Sequence, residues 1–224
     1  MIQKTPLAGC FLMVYSGGMD TLAKLFGGHQ RVKIMRLFLL NQSQVFELGD
    51  VVFRSRVTRG SARHELNNLT TTGFIKQKTV MKEGSRGAKK RVTVWFINTA
   101  FQYIDSVRDL LVDPKLILQD DLLKRFKSAG KIKFMLVSGV FIGDHKNSRI
   151  DILMVGDKLK KNNITHVIKG LEAEIGKELN YVVFDSQEFK YRLDMYDKLV
   201  CDIIDYPHHK LVDTGQLSTY VSKK

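Results

Sequence analysis

The sequence has few cysteines, few prolines and no long apolar run, and each shortage excludes a class of protein. Only Cys10 and Cys201 carry thiols among the 224 residues, too few for a disulfide framework, so we expect a reducing, cytoplasmic compartment. Three prolines and 17 glycines exclude a collagen-like or low-complexity chain. No uninterrupted stretch of about 18 apolar residues occurs, so we expect neither a transmembrane helix nor a membrane partner.

Acidic residues are also scarce relative to basic ones. The chain has 36 Lys and Arg against 23 Asp and Glu, a formal charge of +13. Residues 1–116 hold 18 basic and 8 acidic side chains, and eleven of the basic ones lie between Arg54 and Arg91. A concentrated positive surface favours a polyanion because neutralised phosphates release counterions. The alternative is a charged surface that only solvates the fold.

Hydrophobic periodicity in the first half predicts three helices followed by a β-hairpin. An apolar helix of about a dozen residues follows Gly27 and Gly28, and a second helix is predicted over 48–56. Thr58 lies where an N-cap is expected, and the third helix after it has an apolar stripe of Ala62, Leu66 and Leu69. Strand-like patterns at 74–80 and 92–97 flank a basic loop at 83–90, which indicates a hairpin with a basic tip.

The third predicted helix has a polar side that we expect to face solvent. The residues off its apolar stripe are Arg59, Ser61, Arg63, His64, Asn67 and Asn68. Two short helices joined by a tight turn, then such a helix and a hairpin, are the components of a winged helix-turn-helix.

The stretch 20–97 resembles the winged-helix regulators of the bacterial and archaeal arsenic-repressor and multidrug-repressor type. The resemblance rests on residues 31–38, 57–69 and 72–75. It implies a DNA-binding domain over 19–98. The resemblance also implies that the third helix enters the major groove of duplex DNA, where Arg binds guanine and Asn binds adenine in bidentate fashion. Residues 1–18 are expected to be a flexible tail, because Met19 opens the first segment with a structured pattern.

The resemblance assigns two sets of DNA-binding residues. Those of the third helix are Thr58, Arg59, Ser61, Arg63, His64 and Asn67. Those of the hairpin, which we expect to contact phosphates rather than bases, are Arg86, Lys89 and Lys90. For each residue the alternative is a side chain that merely solvates the surface.

Residues 99–129 are predicted to connect two domains. An amphipathic helix is expected over 100–112, with apolar positions at Phe101, Ile104, Val107, Leu110 and Leu111. In related regulators such a helix often packs against a second subunit, so a homodimer is expected. The alternative is that the helix covers its own domain.

The second half predicts a mixed α/β domain over 130–224. Strand patterns at 132–137, 149–155 and 180–184 are interspersed with helical stripes, of which the longest runs over 164–179. Residues 137–143, 147–157 and 179–189 resemble the minimal nucleotidyltransferase domain of the polymerase-beta superfamily. In active members of that family a Gly-Ser turn holds the triphosphate, and carboxylates on two strands hold two magnesium ions.

The chain departs from the nucleotidyltransferase pattern at each of these positions. Ser138-Gly139 replaces Gly-Ser, and Arg149 occupies the first acidic position, which leaves Asp151 alone. Because a guanidinium keeps its proton in a protein, Arg149 places a cation where a metal ion would bind. We therefore expect a catalytically inactive domain, with no metal site, no cofactor and no enzymatic activity. Lys146 and Arg149 could instead hold the phosphate of a nucleotide ligand without a metal.

The sequence thus predicts an α+β protein in which an N-terminal winged helix-turn-helix domain precedes a C-terminal α/β nucleotidyltransferase-like domain. The expected function is sequence-specific binding of double-stranded DNA by a transcriptional regulator whose second domain serves assembly or ligand sensing. Two alternatives remain open. One is a nucleotidyltransferase that modifies a protein or RNA, and the other is an antitoxin-like protein that binds a partner.

Overall fold

The structure, a computed structural model, describes residues 18–83, 89–112, 119–143 and 149–214. The helices are α1 (Gly18–Leu25), α2 (His29–Leu40), α3 (Leu48–Ser55), α4 (Arg59–Thr71), α5 (Ile104–Leu111), α6 (Gln119–Phe126), α7 (Lys161–Ile175), α8 (Ser186–Asp194) and α9 (Lys198–Asp205). The strands are β1 (Phe46–Glu47), β2 (Ile75–Glu83), β3 (Lys89–Ile97), β4 (Phe134–Val137), β5 (Ile152–Val155), β6 (Tyr181–Phe184) and β7 (His209–Asp213). The fold is therefore mixed α+β, with two separate sheets.

The sequence predicted a flexible N-terminal tail and no transmembrane helix. Residues 1–17 of the predicted tail lie outside the described residues, and Gly18 begins α1. Among the described helices, none combines the length and the apolar character needed to cross a membrane.

The first unit comprises the described residues of 18–112 and encloses one hydrophobic core. The core contains Phe38 of α2, Leu66 of α4 and Phe74, and the rings of Phe38 and Phe46 meet edge to face at 5.4 Å. The three predicted helices are confirmed, with α2 beginning directly after Gly28 and α3 ending at Ser55. A local cap holds the start of α3, where the Asp50 carboxylate accepts a hydrogen bond from the backbone N–H of Glu47 at 2.9 Å.

The hairpin of the first unit is longer than its sequence pattern indicates. Strands β1, β3 and β2 form an antiparallel sheet in that order, so β1 and β2 lie at its edges. The prediction that Lys89 and Lys90 belong to the loop is wrong, because both lie in β3, opposite Glu83 and Lys82. Opposite charges at Glu83 and Lys89 favour this pairing, whereas the like charges of Lys82 and Lys90 oppose it, and Glu47 compensates Lys82. Turn-forming residues beside this pair concealed the strand ends in the sequence.

The second unit comprises the described residues of 119–214 and is built on a four-stranded mixed sheet in the order β6-β5-β4-β7. Strands β5 and β6 are parallel and α7 connects them, whereas β4 is antiparallel to both β5 and β7. Side chains of β4 and β5 are buried on both faces of the sheet. One face packs with α6 and α7, and the other packs with α8 and α9. The sheet is therefore the middle layer of three.

Strand β7 is an element that the sequence pattern did not indicate. It adds to the sheet beside β4, where Val137 faces His209. Its five residues are exposed or half-buried, so they lack the apolar run by which the inner strands are recognised. The other predicted elements of the second unit are confirmed, although α7 ends at Ile175, earlier than the predicted 179.

Helix α2 joins the two units through polar contacts with helix ends. Arg36 is buried, and its Nε donates to the carbonyl of Leu111 at 2.7 Å while Nη1 donates to the carbonyl of Glu174 at 3.1 Å. Burial lowers the pKa of the Arg36 guanidinium, although the nearby Glu174 opposes this shift. The Asn41 amide donates to the carbonyls of Leu37 and Gly176, both at 2.7 Å.

Gly176 is a point of close approach between the units. It ends α7 with a φ of +87°, and a Cβ at this position would lie 2.5 Å from the Leu37 nitrogen and 2.6 Å from the Arg36 carbonyl carbon. Both atoms belong to the backbone of α2, so they cannot move aside as a flexible side chain would. The contact between α2 and the end of α7 therefore requires glycine.

We predict that Gly176→Ala lowers the free energy of unfolding by at least about 2 kcal/mol, because it adds both a steric conflict and a strained backbone. Urea denaturation followed by circular dichroism measures the change. Gly170→Ala is the matched control, since Gly170 lies within α7 and a Cβ there meets no atom within 4 Å. This control should keep or raise stability, by up to about 1 kcal/mol. Equal effects of both variants would contradict the tight contact.

Candidate functional site

The outward side of α4 presents the residues that the sequence singled out. Arg59, Arg63, His64 and Asn67 are exposed. The opposite side of the helix buries Ala62, Leu66 and Leu69 in the first core, which fixes the orientation of the exposed side. The predicted amphipathic arrangement of the third helix is therefore confirmed.

The beginning of α4 is held by Thr58 and Ser61. The Thr58 hydroxyl accepts a hydrogen bond from the backbone N–H of Ser61 at 3.3 Å, and the two hydroxyl groups lie 2.8 Å apart. Thr58 is thus the predicted N-cap. One turn further on, Nε2 of His64 lies 3.0 Å from Nδ2 of Asn68. These contacts order the polar side of α4 without involving Arg59 or Arg63.

Glu65 is the only acidic residue of α4, and it points away from the exposed side. Its carboxylate lies 2.6 Å from Nε of Arg31 in α2, and the Glu65 side chain is 10% exposed. Glu65 is one of the eight acidic side chains of residues 1–116. Because the Arg31 partner neutralises it within the first unit, no carboxylate of α4 remains on the exposed side. The position of Glu65 next to Leu66 on the apolar stripe is the signal that indicates its burial.

A groove connects the start of α4 with the hairpin. It has a volume of about 430 Å³, and its lining includes the basic residues Arg59, Lys82, Lys90 and Arg91 and the acidic residues Glu47 and Glu83. The predicted residues Arg59 and Lys90 therefore share one surface, whereas Lys82 and Arg91 were not predicted to take part. Both lie within strands of the hairpin, beyond the loop to which the sequence assigned the basic tip. The predicted residue Arg86 lies outside the described residues.

One lysine of the groove already has a partner. Nζ of Lys82 lies 2.5 Å from Oε1 of Glu47, and this hydrogen bond raises the pKa of the Lys82 ammonium. Lys89 is exposed on β3. In the described ranges Arg59, Arg63, Lys89 and Lys90 enter no ion pair, so their charges are available to an anion from solution.

The sequence predicted that Lys146 and Arg149 of the second unit bind phosphate. Nη1 of Arg149 lies 2.9 Å from Oδ2 of Asp202 in α9, and Lys146 lies outside the described residues. Ser138 is buried, and its hydroxyl donates to the carbonyl of Ile150. The structure therefore directs Arg149 towards α9 and engages the Ser138 hydroxyl within the backbone.

Two carboxylates of the second unit, Asp151 and Asp157, form hydrogen bonds within the fold. Asp151 is buried, and its two oxygens accept hydrogen bonds from the backbone N–H groups of Val140 at 3.1 Å and Asn180 at 2.9 Å. Hydrogen bonds from Lys133 and Ser186 lower the pKa of Asp157 to about 2. Asp151 thus ties the turn after β4 to the beginning of β6, and it does not pair with Arg149.

Within the part of the chain that the structure describes, no three His, Cys, Asp or Glu side chains are grouped so that they could hold a metal ion. A comparison of the sequence with protein-family models and with curated proteins finds no match. The assignment of a function therefore rests on the geometry and charge described above.

We predict that Asp151→Asn lowers the free energy of unfolding by about 1 to 3 kcal/mol, because one amide N–H would face a backbone N–H donor in a buried position. Thermal and urea denaturation measure the loss. Asp194→Asn is the matched control, because Asp194 is exposed at the end of α8 and its substitution should change stability by less than about 0.5 kcal/mol. An Asp151→Asn protein as stable as the parent would show that these hydrogen bonds contribute little.

Proposed function

We propose that the protein is a transcriptional regulator that binds double-stranded DNA sequence-specifically through a winged helix-turn-helix formed by its first unit. The observation that carries this proposal is the exposed side of α4, which presents Arg59, Arg63 and Asn67 with no carboxylate beside them on the same helix. Arginine and asparagine are the side chains that bind guanine and adenine edges in bidentate fashion.

The arrangement of elements supports the proposal. In the first unit α2, β1, α3, α4 and the β2–β3 hairpin follow in that order, with β3 between β1 and β2. In a winged helix-turn-helix the second helix of the motif enters the major groove, and the hairpin lies against the adjacent backbone. Here α4 takes the place of the recognition helix, and the hairpin supplies Lys89 and Lys90 to neighbouring phosphates. Arg59 and Lys90 line one groove, in which four basic side chains outnumber the two carboxylates of Glu47 and Glu83.

The second unit is proposed to be an inactive nucleotidyltransferase-like domain that serves assembly or ligand sensing. Its support is that Asp151 binds two backbone N–H groups and Arg149 pairs with Asp202. Carboxylates that catalyse nucleotidyl transfer must instead be available to two metal ions. A homodimer would place two α4 helices about one helical turn apart on a palindromic DNA site.

We predict that the double variant Arg59→Ala, Arg63→Ala weakens binding to the preferred duplex by a few kcal/mol, since each good base contact contributes about 1 to 3 kcal/mol. Fluorescence anisotropy with the region upstream of the coding sequence and with random duplex DNA measures the affinity and the specificity ratio. Lys161→Ala, Lys198→Ala is the matched control, because it removes two positive charges from helices of the second unit. Equal losses in the two double variants would mean that only net charge matters.

We predict that Lys89→Ala, Lys90→Ala weakens specific and random DNA binding to a similar extent. Each lost phosphate contact should reduce the slope of log affinity against log salt concentration by about 0.9. Anisotropy titrations over a salt series, with the parent and the variant, give both slopes. A changed sequence preference with an unchanged slope would assign these lysines to bases rather than to phosphates.

A further inference from the structure

A second cavity lies between the two units, away from the exposed side of α4. It has a volume of about 460 Å³ and is enclosed by α3, by α7 and by the residues that follow α7. Leu37 and Leu179, both buried, contribute to its lining. This volume falls within the range of pockets that bind small molecules. We refer to it as the inter-unit crevice.

The crevice has an aromatic side chain at its edge. Phe53 of α3 lines it and is 77% exposed, the largest exposed fraction among the large apolar residues of the described chain. The neighbouring apolar residue Val51 is instead fully buried in the first core. An exposed phenyl ring beside a cavity offers a face for stacking with another flat ring.

The crevice is lined by both acidic and basic side chains, and they differ in whether they have partners within the protein. Oε1 of Glu172 accepts a hydrogen bond from the backbone N–H of Leu179 at 3.0 Å, and Oε1 of Glu178 lies 3.1 Å from Nη2 of Arg54. The charge of Glu178 is therefore compensated by Arg54, whereas Glu172 keeps its negative charge beside a neutral donor. Lys177 is a further basic residue of the lining, so four basic side chains stand against two carboxylates. Arg56 and Lys169 also line the crevice and are exposed, and across the described ranges neither forms an ion pair. The crevice thus combines two available cations with an aromatic face.

We propose that the inter-unit crevice binds a nucleoside monophosphate. Its base stacks on Phe53, and its phosphate lies between Arg56 and Lys169. A dianionic phosphate matches two monovalent cations, and a guanidinium donates two parallel hydrogen bonds to phosphate oxygens. The site does not include Arg149, which pairs with Asp202 of α9, and it does not depend on DNA binding by α4.

The bound nucleotide would connect the second unit to the helix-turn-helix. Arg56 follows α3 in a left-handed conformation with a φ of 51°, two residues before the N-cap Thr58. Lys169 lies on α7. A phosphate held by both residues therefore joins α7 to the turn from which α4 begins, so the nucleotide and DNA are expected to alter each other's affinity reciprocally.

Isothermal titration calorimetry of the full chain, without DNA, tests the proposal with AMP, GMP, CMP and UMP, and with the four matching nucleosides and inorganic phosphate as partial ligands. We expect at least one nucleotide to bind with a dissociation constant below about 1 mM, and its nucleoside and phosphate parts to bind at least about tenfold more weakly. Absence of binding by all four nucleotides at that concentration overturns the proposal.

Three variants place the ligand within the crevice. Arg56→Ala, Lys169→Ala and Phe53→Ala should each weaken nucleotide binding by about tenfold or more, whereas Lys161→Ala, at the other end of α7, should leave it unchanged. Circular dichroism of each variant verifies that it is folded. Unchanged affinity in the three crevice variants overturns the assignment. Displacement of the nucleotide by an equimolar duplex, with no ternary complex, would instead make the crevice part of the DNA interface and would also overturn it.

Discussion

The architecture depends on the buried guanidinium of Arg36. It donates hydrogen bonds to the carbonyls of Leu111 and Glu174, close to the ends of α5 and α7. The last carbonyls of a helix have no partner within that helix, and the helix dipole makes its C-terminal end attractive to a cation. A single side chain thus satisfies groups that would otherwise be buried without a partner. Burial lowers the pKa of Arg36, yet an arginine remains charged under ordinary conditions.

The same helix that carries Arg36 determines where the exposed side of α4 faces. Helix α2 packs in the first core, contributes Leu40 to the second core, and holds α4 through the pair of Arg31 and Glu65. Gly176 brings the end of α7 against the backbone of α2. Helix α2 therefore contacts both α4 and the second unit. The two units are therefore in contact through α2. Such a contact is the physical condition for the proposed influence of a ligand on DNA binding.

Local signals in the sequence predicted most of the fold, and long-range contacts account for what was missed. The limits of α2, α3 and α4 follow from Gly28, Thr58 and the apolar stripe, all of which act within a few residues. The contact of Arg36 with Glu174 spans 138 positions, and no local pattern encodes it. The burial of Glu65, the addition of β7 and the existence of the inter-unit crevice likewise depend on elements that only the folded chain brings together. The assignment of Arg59 and Arg63 to DNA remains a prediction.

Strand β2 lies at an edge of its sheet and carries the exposed lysines Lys76, Lys78 and Lys82. An unpaired edge strand is a template on which a strand of another molecule can add, and charged side chains are a common protection against such aggregation. The lysines of β2 are charged side chains of this protective kind, whatever their role towards a polyanion. A neutral replacement of one of these lysines would weaken this protection even at a position that contacts no ligand.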